Sequence, residues 1–105
     1  MTATAIALLN DHARTTLTDC RLVITQGIAG LDDLEAVIER VRSFTDFTPS
    51  NDAYGEHDFG ALEHDGHTVF WKFDYYDVDL QMHSPDPSDP AVTARVLTIM
   101  LADEY

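Results

Sequence analysis

Three parts of the chain place apolar residues at the 3.6-residue period of an amphipathic helix. Residues 3–18 carry Ile6, Leu9, Ala13 and Leu17 on one side, with Asn10, Asp11 and Arg14 on the other. The second stripe consists of Leu34, Val37, Ile38, Val41 and Phe44. It follows Asp32 and Glu35, which have the spacing of a capping box. The third segment, residues 91–102, follows Asp89 as N-cap and Pro90 as the first helical residue. The pattern therefore predicts three helices.

Between these segments the chain changes to patterns typical of β-structure. RLVIT, residues 21–25, is short and rich in β-branched residues, which favours a strand. Asp65-Gly66 is a strong two-residue turn signal and predicts a β-hairpin. The resulting register places Leu62 opposite Val69, Gly60 opposite Trp71, and His57 opposite Asp74. Gly60 would leave room for the indole ring. A short further strand is expected over residues 78–82.

The hairpin register assigns the side chains to two faces. One face is predicted to carry Leu62, Val69, Trp71 and Phe73, and the other His57, Glu63, Lys72 and Asp74 along with Phe59 and Phe70. The residues expected to be buried together are Trp71, Leu62, Val69, Ile38, Val41, Val96 and Ile99. The predicted fold is α+β, with a small, mainly antiparallel sheet around a central β-hairpin and about three helices on one face. The length of 105 residues predicts a single globular domain over residues 1–105.

The charge of the chain restricts its partners. It has 19 acidic residues against 6 Lys and Arg, a formal net charge of -13. Residues 46–105 hold thirteen of the acidic and two of the basic residues. Such a surface would repel both a nucleic-acid backbone and an anionic membrane. We therefore expect no direct nucleic-acid or membrane binding, and a basic protein surface or a cation as the partner. The single Cys20 and the lack of a signal-peptide pattern predict a cytoplasmic protein.

The residues around His57 allow a catalytic or a metal-binding hypothesis. His57 could act as a general base oriented by Glu56 or Asp74. With Asp74 and one of His83, Asp77 or Asp79, it could form a mixed nitrogen–oxygen metal site. However, the sequence contains no HExxH motif, P-loop, GxSxG motif or dinucleotide fingerprint. A small enzyme or metal-binding protein is therefore the alternative hypothesis. No cofactor and no catalytic residue are assigned.

The favoured hypothesis is a non-catalytic protein-interaction module that presents an acidic surface with aromatic residues. The predicted partner-binding residues are Glu56, His57, Asp58, Asp74, Tyr76, Asp77 and Asp79. The most concrete form of this hypothesis is a nucleic-acid mimic, whose carboxylates replace phosphates in the basic cleft of a DNA-binding or defence protein. Restriction and CRISPR proteins are the defence systems considered. The simpler competing explanation is that the acidity serves solubility alone.

Three sequence blocks resemble one known family. They are FTPSNDAYGEHDFGALEHDG (residues 47–66), VFWKFDYYD (residues 69–77) and SPDPSDPAVTARVLTIMLADEY (residues 84–105). They are similar to the bacterial family called domain of unknown function 3768, and the resemblance extends from LNDHARTTLT (residues 9–18) to Tyr105. The resemblance implies a small intracellular bacterial protein of about this length. It implies no catalytic residues.

Overall fold

Three helices and four strands make up the computed structural model, which describes residues 2–105. The helices are α1 (Thr2–Thr16), α2 (Gln26–Ala29) and α3 (Leu34–Arg42). The strands are β1 (Arg21–Ile24), β2 (Phe59–His64), β3 (His67–Tyr76) and β4 (Ala94–Leu101). Short 3-10 turns span Pro90–Val92 and Ala102–Glu104. Within residues 2–105, none of the helices combines the length and the apolar content that crossing a membrane requires.

The four strands form one mixed sheet in the order β1-β4-β3-β2. Both β2–β3 and β3–β4 pair antiparallel, whereas β1 runs parallel to β4. The predicted α+β class and mainly antiparallel sheet are therefore confirmed. The parallel pair is the one departure within the sheet: β4 lies between β3 and β1, antiparallel to β3 and parallel to β1.

The predicted hairpin register is confirmed from residue 59 to residue 72. Leu62 pairs with Val69 and Gly60 with Trp71, as the turn signal required. Asp65 and Gly66 have φ angles of 52° and 81°, the left-handed conformation that the tightest hairpin turns need at both central residues. A Cβ atom on Gly60 would overlap the indole ring of Trp71. Glycine is therefore required at this position by the packing of Trp71.

The helices cover one face of the sheet and leave the other uncovered. Trp71, Val69 and Ile99 are fully buried beneath α1 and α3, together with Val37 and Val41. Alternate residues of β3 point away from the helices, and we call that side the open face; it carries Phe70, Lys72 and Asp74. Ile38 is only half-buried. Val96 pairs with Asp74 and so lies on the open face, which makes its predicted place in the core wrong.

The predicted C-terminal helix over residues 91–102 is wrong, because this segment forms β4. Asp89 does accept a hydrogen bond from the Ala91 N–H at 2.9 Å, but the turn it caps is a single 3-10 turn. The chain then alternates, with Arg95, Leu97 and Ile99 buried and the residues between them half-buried. A short apolar run is compatible with both the 3.6-residue period of a helix and the two-residue period of a strand, and the β-branched residues of this segment favour the strand. Its position between β1 and β3 gives it partners on both edges.

Two shorter predictions are also wrong. Residues 78–82 form a turn and not a strand, and only Tyr76 and His83 form an isolated bridge across it. Helix α3 has Asp33 at its N-cap position, not Asp32, and the Asp33 side chain makes no capping hydrogen bond. Instead, Asp33 lies 2.6 Å from the His64 ring nitrogen at the end of β2. This contact fixes the start of α3 to the hairpin.

Candidate functional site

The structure divides the seven predicted partner-binding residues into two groups. Glu56, His57 and Asp58 lie in the segment that precedes β2, beside α1. The other four lie at the end of β3 and in the turn that follows it; they are Asp74, Tyr76, Asp77 and Asp79. The first group is half-buried throughout, whereas in the second group Tyr76 and Asp79 are exposed and Asp74 and Asp77 are half-buried.

Glu56 belongs to a buried polar network centred on Asn10. The fully buried Asn10 donates through Nδ2 to the Glu56 carbonyl at 3.0 Å and to the Tyr75 hydroxyl at 2.8 Å. Its Oδ1 accepts from Arg95 Nε at 2.8 Å. The Tyr75 hydroxyl in turn donates to Glu56 Oε1 at 3.2 Å. Burial raises the pKa of Tyr75, so its hydroxyl stays protonated as this donor role requires. The network joins α1, β3 and β4.

His57 is held between two carboxylates that the hairpin does not supply. Its Nδ1 lies 2.9 Å from Asp11 Oδ1, and its Nε2 lies 3.5 Å from Asp52 Oδ2. The ring stacks on Phe47 with centroids 3.9 Å apart and planes 2° from parallel. The predicted pairing of His57 with Asp74 is wrong, because the chain turns at His57, where φ is 54°, before β2 begins. A carboxylate lies near each ring nitrogen, and these contacts fix the long loop to α1.

Helix α1 buries polar side chains that the sequence pattern assigned to its outer side. Arg14 is buried, donates to the carbonyls of Val41 and Arg42 at 2.9 and 3.0 Å, and lies 4.9 Å from the Trp71 ring centroid. Asn10 and Arg14 are therefore residues that sequence reasoning missed. The signal was present, since Asn10 lies four residues after Ile6 and four before Arg14, which places all three on one helix face. Their polar chemistry concealed their burial.

Asp58 lies where the two groups approach each other. Its backbone carbonyl accepts from the Phe73 N–H at 2.8 Å, which extends the pairing of the hairpin by one residue. Burial raises the pKa of its carboxyl, and the charges of Asp52 and Asp74 act in the same direction. A carboxylate that is half-buried and close to others is a weak contributor to an exposed binding surface.

The second group surrounds the turn over residues 77–82, which we call the β3 turn. Asp77 closes it, because the Asp77 N–H donates to the Met82 carbonyl at 2.7 Å and Asp77 Oδ1 accepts from the Gln81 N–H at 3.0 Å. Asp74 makes an ion pair of 2.9 Å with Lys72 on the open face. Asp79 is exposed at the tip. Of the three aspartates, Asp77 serves the fold most and Asp79 least.

The β3 turn also concentrates exposed apolar side chains. Among the described residues, nine large hydrophobic side chains are exposed, and four of them fall within residues 76–82. They are Tyr76 at 38%, Val78 at 62%, Leu80 at 38% and Met82 at 71% exposure. Sequence reasoning included Tyr76 but missed the other three, because residues 78–82 were expected to form a short strand. The structure shows a patch of mixed apolar and acidic character.

A convergent metal site is not found in the part of the chain that the structure describes. Within residues 2–105, no three His, Cys, Asp or Glu side chains are arranged so that they could hold an ion. His57 contacts Asp11 and Asp52, which are not among the carboxylates that the metal hypothesis combined with it.

The geometry describes a small α+β protein with a buried polar network on one side and an exposed turn at the end of β3. The chain belongs to the DUF3768 family of proteins of unknown function, whose family model matches residues 24–104. The resemblance seen in the sequence is thus confirmed, although the matched range begins at Ile24 and leaves out α1. No match was found among curated proteins or among solved structures.

Proposed function

We propose that this protein is a non-catalytic protein-interaction module and that the β3 turn with Tyr76 is its recognition surface. The observation that carries the proposal is the exposure of Tyr76, Val78, Leu80 and Met82 within one short segment. Apolar patches that remain exposed on a folded protein are typical of interaction sites. Tyrosine and methionine are also enriched in protein interfaces.

The rigidity of the turn supports this role. Asp77 makes hydrogen bonds across the turn to Gln81 and Met82, and the Ser84 N–H donates to the Tyr75 carbonyl at 3.1 Å just beyond it. A segment that is already ordered loses less conformational entropy when a partner binds. The turn can therefore present its apolar side chains in one arrangement.

The charge around the patch indicates the kind of partner. Asp79 lies at the tip of the turn, and residues 46–105 contribute most of the net charge of -13. A basic surface with an apolar groove would complement this combination. Its charges would accelerate encounter, and the groove would supply most of the affinity. A cytoplasmic setting is part of the same proposal.

A nucleic-acid mimic that inhibits a DNA-binding or defence protein is the finer form of the proposal. It is supported by the net charge of -13 and requires carboxylates that are free to replace phosphates. Asp79 meets that requirement better than Asp77, which already accepts hydrogen bonds within the turn. In this form, a DNA fragment would compete with the protein for the partner.

The proposal is tested by quantitative co-purification with two matched variants. The turn variant carries Val78→Ser and Met82→Ser, which remove two exposed apolar side chains without touching Asp77. The control variant carries Leu8→Ser and Tyr54→Ser, two residues that are 66% and 84% exposed elsewhere. Each tagged protein is incubated with lysate of the source organism, and recovered proteins are measured by mass spectrometry.

We expect a specific protein to be recovered with the parent and the control variant and lost with the turn variant. The same protein should be recovered less at high salt and with Asp74→Asn/Asp79→Asn, which leave the closing residue of the turn intact. Equal recovery with the parent and the turn variant would show that the β3 turn is not the recognition surface.

A further inference from the structure

A cavity of about 490 Å³ lies between α1, the start of β1 and the start of β4. That volume falls in the range of small-molecule sites. Its walls include Leu9, His12, Cys20, Arg21 and Arg95, and none of its lining residues belongs to the β3 turn. The cavity is therefore separate from the surface proposed for partner binding.

Arg95 forms the inner wall of this cavity and is held rigidly. The residue is only 5% exposed, and its guanidinium lies 5.3 Å from the Tyr75 ring centroid. Arg95 Nε donates to Asn10 Oδ1 at 2.8 Å, and Nη2 donates to the Pro87 carbonyl. Both contacts are to neutral oxygens, so they orient the guanidinium without neutralising it.

The buried charge of Arg95 has no counter-ion in the described part of the chain. Within residues 2–105, no carboxylate oxygen lies within 4.0 Å of its guanidinium, although the chain has 19 carboxylate side chains. A buried charge without an ion-pair partner is costly, which makes Arg95 a candidate to bind an anion. Arg95 Nη1 makes no hydrogen bond within that range and is not fully buried. This nitrogen is the free donor of a residue that lines the cavity.

The other walls add His12, Asp19 and the edge-strand residue Arg21. Arg21 borders the cavity at the start of β1, but its pairing with Val96 places its side chain on the open face, away from Arg95. Asp19 is the single carboxylate on the wall, and it is already paired with His12 Nε2 at 3.1 Å. Burial raises the pKa of the Cys20 thiol, which keeps it neutral.

We propose that this cavity is a binding site for a small molecule that carries an oxyanion, either a carboxylate or a phosphate group. Arg95 Nη1 would donate a charge-assisted hydrogen bond to one of its oxygens. Leu9, Pro90 and Ala94 on the same walls would contact a short apolar part of the ligand. The site adds a ligand-binding activity to the proposed interaction module.

The test is a titration of the folded protein followed by ¹⁵N NMR, with inorganic phosphate and acetate as separate probes at constant ionic strength. We expect saturating shifts at the backbone amides of Cys20, Ala94 and Arg95. Arg95→Gln should weaken binding roughly tenfold, the effect of losing one charged hydrogen bond. Arg40→Gln removes the same charge from an exposed position on α3 and should change the affinity less than about twofold, the effect of a screened charge outside the site.

The two probes also distinguish the ligand classes, because stronger binding of phosphate or of acetate identifies the group that the site prefers. Arg95→Lys keeps the charge but shortens the reach, so binding should weaken although the fold is retained. If neither Arg95 variant folds, the shifts of the parent and of Arg40→Gln decide. The proposal is overturned if neither anion gives saturating shifts at the cavity amides, or if Arg40→Gln weakens binding tenfold or more.

Discussion

Replacement of Asn10 by alanine is the perturbation that best tests the buried polar network. Asn10 is fully buried and makes three hydrogen bonds, to the Glu56 carbonyl, the Tyr75 hydroxyl and Arg95 Nε. Alanine would remove all three and add none. Water cannot readily replace them at a site closed by α1, β3 and β4.

The loss of stability depends on which groups lose their hydrogen-bond partners. The Tyr75 hydroxyl keeps its hydrogen bond to Glu56, so losing the bond to Asn10 costs little free energy. The Glu56 carbonyl and the charged Arg95 Nε are left without a partner, and a buried unpaired group costs about 1–3 kcal/mol, more when it is charged. We therefore expect Asn10→Ala to lower the free energy of unfolding by about 3–5 kcal/mol. In a chain of this size that corresponds to a fall in Tm of at least about 10 °C.

The assay is thermal and urea unfolding, followed by the fluorescence of the single Trp71 and by circular dichroism. Asn51→Ala is the matched control, because Asn51 also makes hydrogen bonds, to Asp46 and Thr48, but is exposed in a loop. Its substitution should cost less than about 1 kcal/mol, since water can replace its partners. If Asn10→Ala costs no more than Asn51→Ala, the network does not stabilise the fold as argued.

Three further predictions concern the core, the C-terminal turn and metal ions. Trp71→Ala should cost roughly 3–5 kcal/mol in denaturant unfolding, because it empties the centre of the core; a cost below about 1 kcal/mol would contradict the packing described. The Thr25 hydroxyl and the Leu101 and Gly27 N–H groups donate hydrogen bonds to the Glu104 carboxylate, which holds its pKa below the usual range. The stabilisation from the ionised carboxylate is therefore present above about pH 4.3, the ordinary pKa of Glu, and is lost as the pH falls through the lower pKa of the folded state. Between pH 6 and pH 3, Tm should therefore fall less for Glu104→Gln than for the parent. Equal falls would show that the ionised Glu104 carboxylate does not stabilise the fold. Treatment with EDTA should leave Tm unchanged, whereas a drop of several degrees that zinc reverses would restore the metal hypothesis.

The β-hairpin could be predicted from the sequence because a local signal determines it. Asp65-Gly66 fixes the turn, and the turn fixes which residues of β2 and β3 face each other. Trp71 opposite Gly60 then follows by counting. The period-two alternation in β3 similarly indicated which side chains enter the core.

The errors arose where tertiary partners decide the local structure. Residues 94–101 contain apolar residues at both helical and strand spacing, and only the open edges of β1 and β3 select the strand. His57 leaves the hairpin because it contacts Asp11 and Asp52, and not the Asp74 that the hairpin register predicted. The cavity at Arg95 likewise required the structure, since its walls come from α1, β1 and β4. No local pattern brings His12, Arg21 and Arg95 together.

The most direct test of the proposed function is the equilibrium affinity of a purified co-purifying partner for three forms of the protein, measured by isothermal titration calorimetry. The forms are the parent, Val78→Ser/Met82→Ser and Leu8→Ser/Tyr54→Ser. Removal of two apolar contacts from the centre of an interface should cost about 2 kcal/mol, so the turn variant should bind about 30-fold more weakly. The control variant should bind within about twofold of the parent, as expected for residues outside an interface. If the turn variant binds as tightly as the parent while the control variant is weakened, the β3 turn is not the recognition surface and the proposed function is wrong.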